Sequence, residues 1–225
     1  PSAMLIERKG PLVRSRGADG EWRIVHGHLS HFDSMLAHLS DPQATPELLA
    51  LRERIRSWRF YDHFRTDAAA PSRSPQVGTH TLVLGHDGAD LAAALQTIRE
   101  IGDAQALDDA VNDAFPGATV NVDCRDGRFE TLMQQHGLLR TLKAVELSDG
   151  TLRYLLWIAA LLSPRPPGLL VLNEPETSLH PDLLPALGRL IARAAQKTQV
   201  FVVSHAPRLI ASLEEEGCRT FALEK

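Results

Sequence analysis

GLLVLNEPETSLHPDLL, residues 168–184, decides how this chain is read. Its Leu169-Leu-Val-Leu172 run is apolar without interruption and is bounded upstream by Pro164, Pro166 and Pro167, the pattern of a strand buried on both faces. The run stops abruptly at Asn173 and Glu174. Polar groups at the carboxyl ends of parallel strands line the crevice where α/β sheets bind ligands, so both are candidate site residues. A second apolar run, VFVV at 200–203, stops the same way, at Ser204 and His205. Roughly 25 residues separate the two runs, which suits the helical crossover that joins parallel neighbours. Two adjacent strands then deliver Glu174 and His205 to one edge of the sheet. A carboxylate and an imidazole placed there can position and deprotonate a water.

Outward from this stretch, four short motifs follow one another: LSDGT (147–151), LLVLNEPE (169–176), TSLHP (177–181) and VVSH (202–205). The series resembles the signature, Walker B, D-loop and switch histidine of ABC-type ATPases, in particular their SMC/RecF-like branch. The Leu-His-Pro after the Walker B segment is similar to that of predicted AAA-type ATPases and OLD-like proteins. The resemblance covers the last third of the chain. It implies an α/β, P-loop NTPase-like fold: a largely parallel central sheet with helices on both faces, an N-terminal antiparallel β piece and a helical subdomain. It also implies ATP and Mg²⁺ as ligands, and a homodimer with nucleotide sandwiched between two copies. Under it, Glu174 serves as base or positioner of the attacking water and His205 reaches the γ-phosphate. Ser148, Asp149, Gly150 and Thr151 hold the γ-phosphate of the opposite subunit, Ser178 belongs to the D-loop at the interface, and Asn173 sits at the metal position. There the family more often has aspartate. An amide carbonyl can still accept from metal-bound water, but it brings no negative charge to offset Mg²⁺.

The residues of the signature carry their own physical reading. LSDGT precedes an almost uninterrupted apolar stretch, 152–162, that as a helix must be buried nearly all round. Ser148 can cap that helix, and Gly150 lets backbone approach a ligand closely. The unpaired N–H groups and the helix dipole favour an anion there.

One part of the expected machinery is missing. No GxxxxGK(S/T) loop, whose backbone N–H groups and lysine hold the β- and γ-phosphates, occurs in the 225 residues. The simpler expectation is that an upstream segment is lacking and that the fragment binds nucleotide weakly without turnover; the alternative is a natural protein that has lost its P-loop. Two functions of different class therefore stand: a nucleotide-dimerised ATPase, or a non-catalytic dimerisation or regulatory module with a degenerate site.

Composition sets outer bounds. With 44% apolar residues the chain can bury one good core, or one core with a small satellite. A net charge of −4 and a pI near 6.2 argue against a protein whose whole surface binds polyanions, and DNA enters as a partner by analogy alone. Cys124 and Cys218 have no CxxC spacing. The longest apolar stretch falls far short of the roughly 20 residues of a membrane span, and the expected setting is cytoplasmic.

Along the chain, residues 1–30 read as an antiparallel β piece with turns at Gly10-Pro11 and 17–20, and 31–70 as a helical subdomain. His26, His28 and His31 read as a solvated turn, and Trp58, Phe60, Tyr61 and Phe64 as packing residues. Residues 71–146 read as loop, helices and a hairpin leading into the signature, with 66–79 as a flexible loop and Asp87-Gly88 opening a leucine-rich helix. Residues 147–225 form the motif-bearing core, ending in a strand at 221–223.

Overall fold

In the computed structural model, which describes residues 4–17, 19–39 and 41–223, the chain divides between Trp58 and Arg59 into two units. The first opens with β1 (Ile6–Lys9), β2 (Leu12–Arg16) and β3 (Trp22–His26), paired antiparallel in that order. Gly10 makes the first turn at φ 59°, a left-handed conformation that glycine adopts without penalty. Ala18 of the second expected turn lies outside the described residues. Two helices follow, α1 (Met35–His38) and α2 (Pro46–Arg56), and Val13, Leu29, Leu39 and Leu48 form this unit's small core.

The second unit is α/β. Its elements are β4 (Arg59–Tyr61), β5 (Gln76–Val77), α3 (Leu91–Ile101), α4 (Ala104–Ala114), β6 (Thr119–Arg125), β7 (Arg128–Gln134), β8 (Leu142–Lys143), α5 (Asp149–Leu161), β9 (Leu169–Asn173), α6 (Leu184–Ala195), β10 (Gln199–Val203) and α7 (Pro207–Glu215). Strands β10, β9 and β4 form a parallel sheet in that order, with α6 as the crossover between β9 and β10. Strands β5 to β8 form a separate antiparallel sheet centred on β7.

Helix α5 is the centre of packing. Residues 151–161 are all buried, and the helix packs against α3, α4 and α6. An all-round apolar helix is stable only in such a position. Beside it, the Phe64 ring meets Trp157 edge-on at 4.9 Å and lies 5.2 Å from Tyr61, whose hydroxyl donates to the Leu84 carbonyl. Gly88, at φ 67°, sits against this cluster. A Cβ there would come within 2.4 Å of Leu156 Cδ2, so the Asp87-Gly88 turn is fixed by core packing.

Several local expectations are corrected. Helical sequence stops at Arg56, and Arg59–Tyr61 joins the parallel sheet beside β9. Residues 66–79 are not a flexible loop: Ala70 and Ser72 are buried, and Arg73 is 6% exposed, its guanidinium donating to backbone carbonyls. Residues 221–223 form no strand, and Phe221 and Leu223 are exposed. Finally, β9 is not buried on both faces. Leu170 and Leu172 are buried, but on the other face Phe60, Val171 and Phe201 align across the three strands, with Phe60 and Phe201 each about half exposed. Phe60 is therefore not a packing residue among those described. No helix among the described residues is long and apolar enough to cross a membrane.

Candidate functional site

The parallel register pairs Asn173 with Val203, so the residues that follow each strand leave the sheet side by side. The Glu174 N–H donates to the Val203 carbonyl at 2.8 Å, the last tie between the two strands. Beyond it, His205 Nε2 stands 3.7 Å from Glu174 Oε1, with both side chains open to solvent. Glu174 has φ 43° and Ser178 has φ 62°, left-handed conformations that L-residues with a Cβ avoid by roughly 1–2 kcal/mol. Such strain persists only where the surroundings over-determine it, and it clusters at functional segments. Here α5 supplies the hold: Trp157 Nε1 donates to the Pro175 carbonyl at 3.0 Å and Arg153 Nη1 to that of Thr177 at 3.0 Å. Burial lowers the pKa of the Arg153 guanidinium, and its partners are backbone carbonyls and the Thr66 hydroxyl.

Asn173 is engaged by a residue that the sequence did not single out. Its Nδ2 donates to Asp62 Oδ1 at 2.7 Å, and Asp62 directly follows β4. An ionised carboxylate only accepts, so the amide must present N–H to Asp62 and keeps its Oδ1 as an acceptor. Asp62, Asn173, Glu174 and His205 thus follow or end the three neighbouring parallel strands at one edge. No signal in a three-residue strand would have found Asp62.

The oxygen donors at this edge suit Mg²⁺, which is commonly held by one or two carboxylates together with water and substrate phosphates. No group of three or more His, Cys, Asp or Glu able to hold a metal exists among the described residues, so an ion here would depend on its substrate.

The signature residues form a second feature. Ser148 is the N-cap of α5, its Oγ accepting from the Thr151 N–H at 3.1 Å. With Gly150, Thr151, Ser178, Leu179, His180 and Pro181, it lines a groove of about 590 Å³ that neither Glu174 nor His205 enters. A Cβ on Gly150 would lie 2.9 Å from the Ser178 carbonyl oxygen, so at this point signature and D-loop approach each other too closely for a side chain. Asp149 carries a negative charge at this helix N-terminus, where it would repel an anion, but Arg73 Nη2 meets its Oδ1 at 2.6 Å and neutralises it. Arg73 lies in a Pro/Ser-rich stretch that reads as loop, and nothing in its spacing announces this role.

Comparison with known proteins matches residues 24–211 to a family model described as "AAA domain, putative AbiEii toxin, Type IV TA system". No curated protein matches the chain. Among solved structures, the SMC head bound to the C-terminal winged-helix domain of ScpA is similar over 89% of this chain and 62% of that one, at 10% identity and a TM-score of 0.50. The SMC head domain from Thermotoga maritima aligns over 92% of this chain and 65% of that one, at 14% identity and a TM-score of 0.41. The SMC head with coiled coil and joint from Pyrococcus yayanosii aligns over 52% of this chain and 24% of that one, at 14% identity and a TM-score of 0.45. The chain thus spans between about a quarter and two thirds of the length of these structures.

Proposed function

This chain belongs to the AAA domain family whose model spans residues 24–211, and from that membership we propose that it is the greater part of an ATP-hydrolysing, SMC-like head that works as a nucleotide-joined homodimer. What supports this reading most is the pairing of Glu174 and His205, 3.7 Å apart at the ends of adjacent parallel strands. In the proposed reaction Glu174 orients the attacking water and accepts its proton, and His205 donates a hydrogen bond to the γ-phosphate. Asp62 and the Asn173 carbonyl would hold Mg²⁺, which would offset charge on the phosphates. DNA as a partner and a cytoplasmic setting belong to the same proposal.

The separation of the two features supports the dimer. An acid and an imidazole lie at the strand edge, while the anion-attracting N-terminus of α5 opens into a different groove. A second copy whose signature groove faces the first copy's strand edge gives each nucleotide both sets of residues. Contacts that exist only with the γ-phosphate in place would then couple hydrolysis to separation.

The phosphates also need a cradle, which we assign to a GxxxxGK(S/T) segment outside these 225 residues, packed on the open Phe60–Val171–Phe201 face. The 225-residue chain alone is expected to bind nucleotide weakly and to turn none over. The second reading, a non-catalytic dimerisation module, is favoured by Asn173 in place of an acid. Phosphate release by the protein carrying that segment separates them: Glu174→Gln should keep nucleotide affinity and lose at least about a hundredfold in kcat. Tight binding with no turnover in the parent protein would establish the non-catalytic reading.

A further inference from the structure

The second glutamate of the 173–176 stretch does more than follow the first. Glu176 Oε1 accepts three hydrogen bonds: from the Ser204 hydroxyl at 2.7 Å, the His205 N–H at 2.9 Å and the Ala206 N–H at 3.1 Å. These donors are consecutive, and they form the whole segment between the end of β10 at Val203 and the start of α7 at Pro207. The strand ladder has already ended at the bond from Glu174 to Val203, and α7 has no side-chain cap of its own, its N-cap residue being Ala206. The Ala206 carbonyl is tied into α7 by Leu209 and Ile210, and the Ser204 hydroxyl accepts from Ala206; the donors of all three residues of the turn converge on the carboxylate of Glu176. It also sets a negative charge against the N-terminus of α7. Its other oxygen, Oε2, is buried and has no hydrogen-bond partner among the described residues, an unfavourable state for a carboxylate oxygen.

The backbone of Glu176 is fixed in turn. The carbonyls on either side of it, those of Pro175 and Thr177, are gripped by Trp157 and Arg153 of α5, and its own carbonyl accepts from Leu179 in the D-loop. One residue therefore connects the signature helix and D-loop to the backbone that carries the imidazole.

We propose that Glu176 is the positioning residue for His205: it fixes the imidazole opposite Glu174 and makes that placement depend on the conformation of the D-loop. The proposal rests on the reading of Glu174 and His205 as the hydrolytic pair, yet its first test needs no nucleotide. In the 225-residue chain, the NMR shifts of the His205 imidazole should respond to Glu174→Gln because the groups are close. That response should fall at least about twofold in a Glu176→Ala background and persist in Glu176→Gln, whose amide oxygen can still accept all three bonds. Glu176→Asp, charged but one methylene too short, should behave like alanine, and serves if Glu176→Ala does not fold.

In the protein carrying the phosphate-binding segment, Glu176→Ala should lower kcat about tenfold or more with KM within about twofold, and Glu176→Gln should recover most of it. An unchanged imidazole response in Glu176→Ala and Glu176→Asp overturns the proposal, whatever the kinetics. A lost response in a parent protein without turnover leaves Glu176 as positioner and removes the ATPase reading.

Discussion

Asn173 stands where the resemblance to ABC-type ATPases leads one to expect aspartate, and its surroundings give the amide a physical meaning. The amide is matched by Asp62 one strand away, so the edge carries an acid together with a neutral donor that holds it. An acid at position 173 should therefore harm the isolated chain. Asn173→Asp removes the only N–H between the two groups and sets two carboxylates against each other. Because both positions are near solvent, the expected loss is modest, about 1 kcal/mol in a urea melt without divalent cation. Millimolar Mg²⁺ should restore most of it, since an ion between two carboxylates favours the folded state by mass action. A variant as stable as the parent without Mg²⁺ would show that Asp62 and residue 173 do not face each other.

At the scale of elements, the parts with strong patterns are the legible ones. Residues 169–172 and 200–203 are unbroken apolar runs ending in polar residues, and they form the two parallel strands whose ends bring Glu174 and His205 together. The apolar stretch after Ser148 is the buried helix. What is illegible is short or defined by partners distant in sequence. Three residues, Arg59–Tyr61, cannot display a period, so β4 and with it Asp62 disappear into the helical sequence before them. Arg73 looks like a solvated cation in a Pro/Ser-rich loop because, besides the nearby Thr66 and Asp67 carbonyls, its partners lie more than 70 positions away: the carbonyls of Ala144 and Leu147 at 3.1 and 2.7 Å, and Asp149. Arg73→Ala should thus behave as a core mutation. It orphans buried carbonyls and frees the carboxylate beside the α5 N-cap, a loss of about 3 kcal/mol. Arg73→Lys should recover little, since a single ammonium cannot serve carbonyls spread around a planar fork. Urea denaturation reads both, and a loss under about 1 kcal/mol for alanine would mean that the 66–73 segment does not anchor the signature.

For the whole molecule, the telling feature is a parallel sheet with one buried face and one open face. Leu170 and Leu172 lie in the core, whereas Phe60, Phe201 and Val203 keep about half their surface. Parallel sheets are covered on both sides almost without exception. A row of phenylalanines in water is also a site for association. If the proposed phosphate-binding segment packs there, one substitution should have two different effects. In the 225-residue chain, the double variant Phe60→Ser/Phe201→Ser should cost under about 1 kcal/mol of folding stability, because little area leaves contact. It should also reduce self-association in sedimentation. In the protein carrying the segment, the same rings would be buried, and losing two of them should destabilise by about 4 kcal/mol or more. Equal, small effects in both proteins would place the segment elsewhere and leave the open face to another surface. The contrast also isolates the fold from the chemistry, since neither ring belongs to the edge where Asp62, Glu174 and His205 meet.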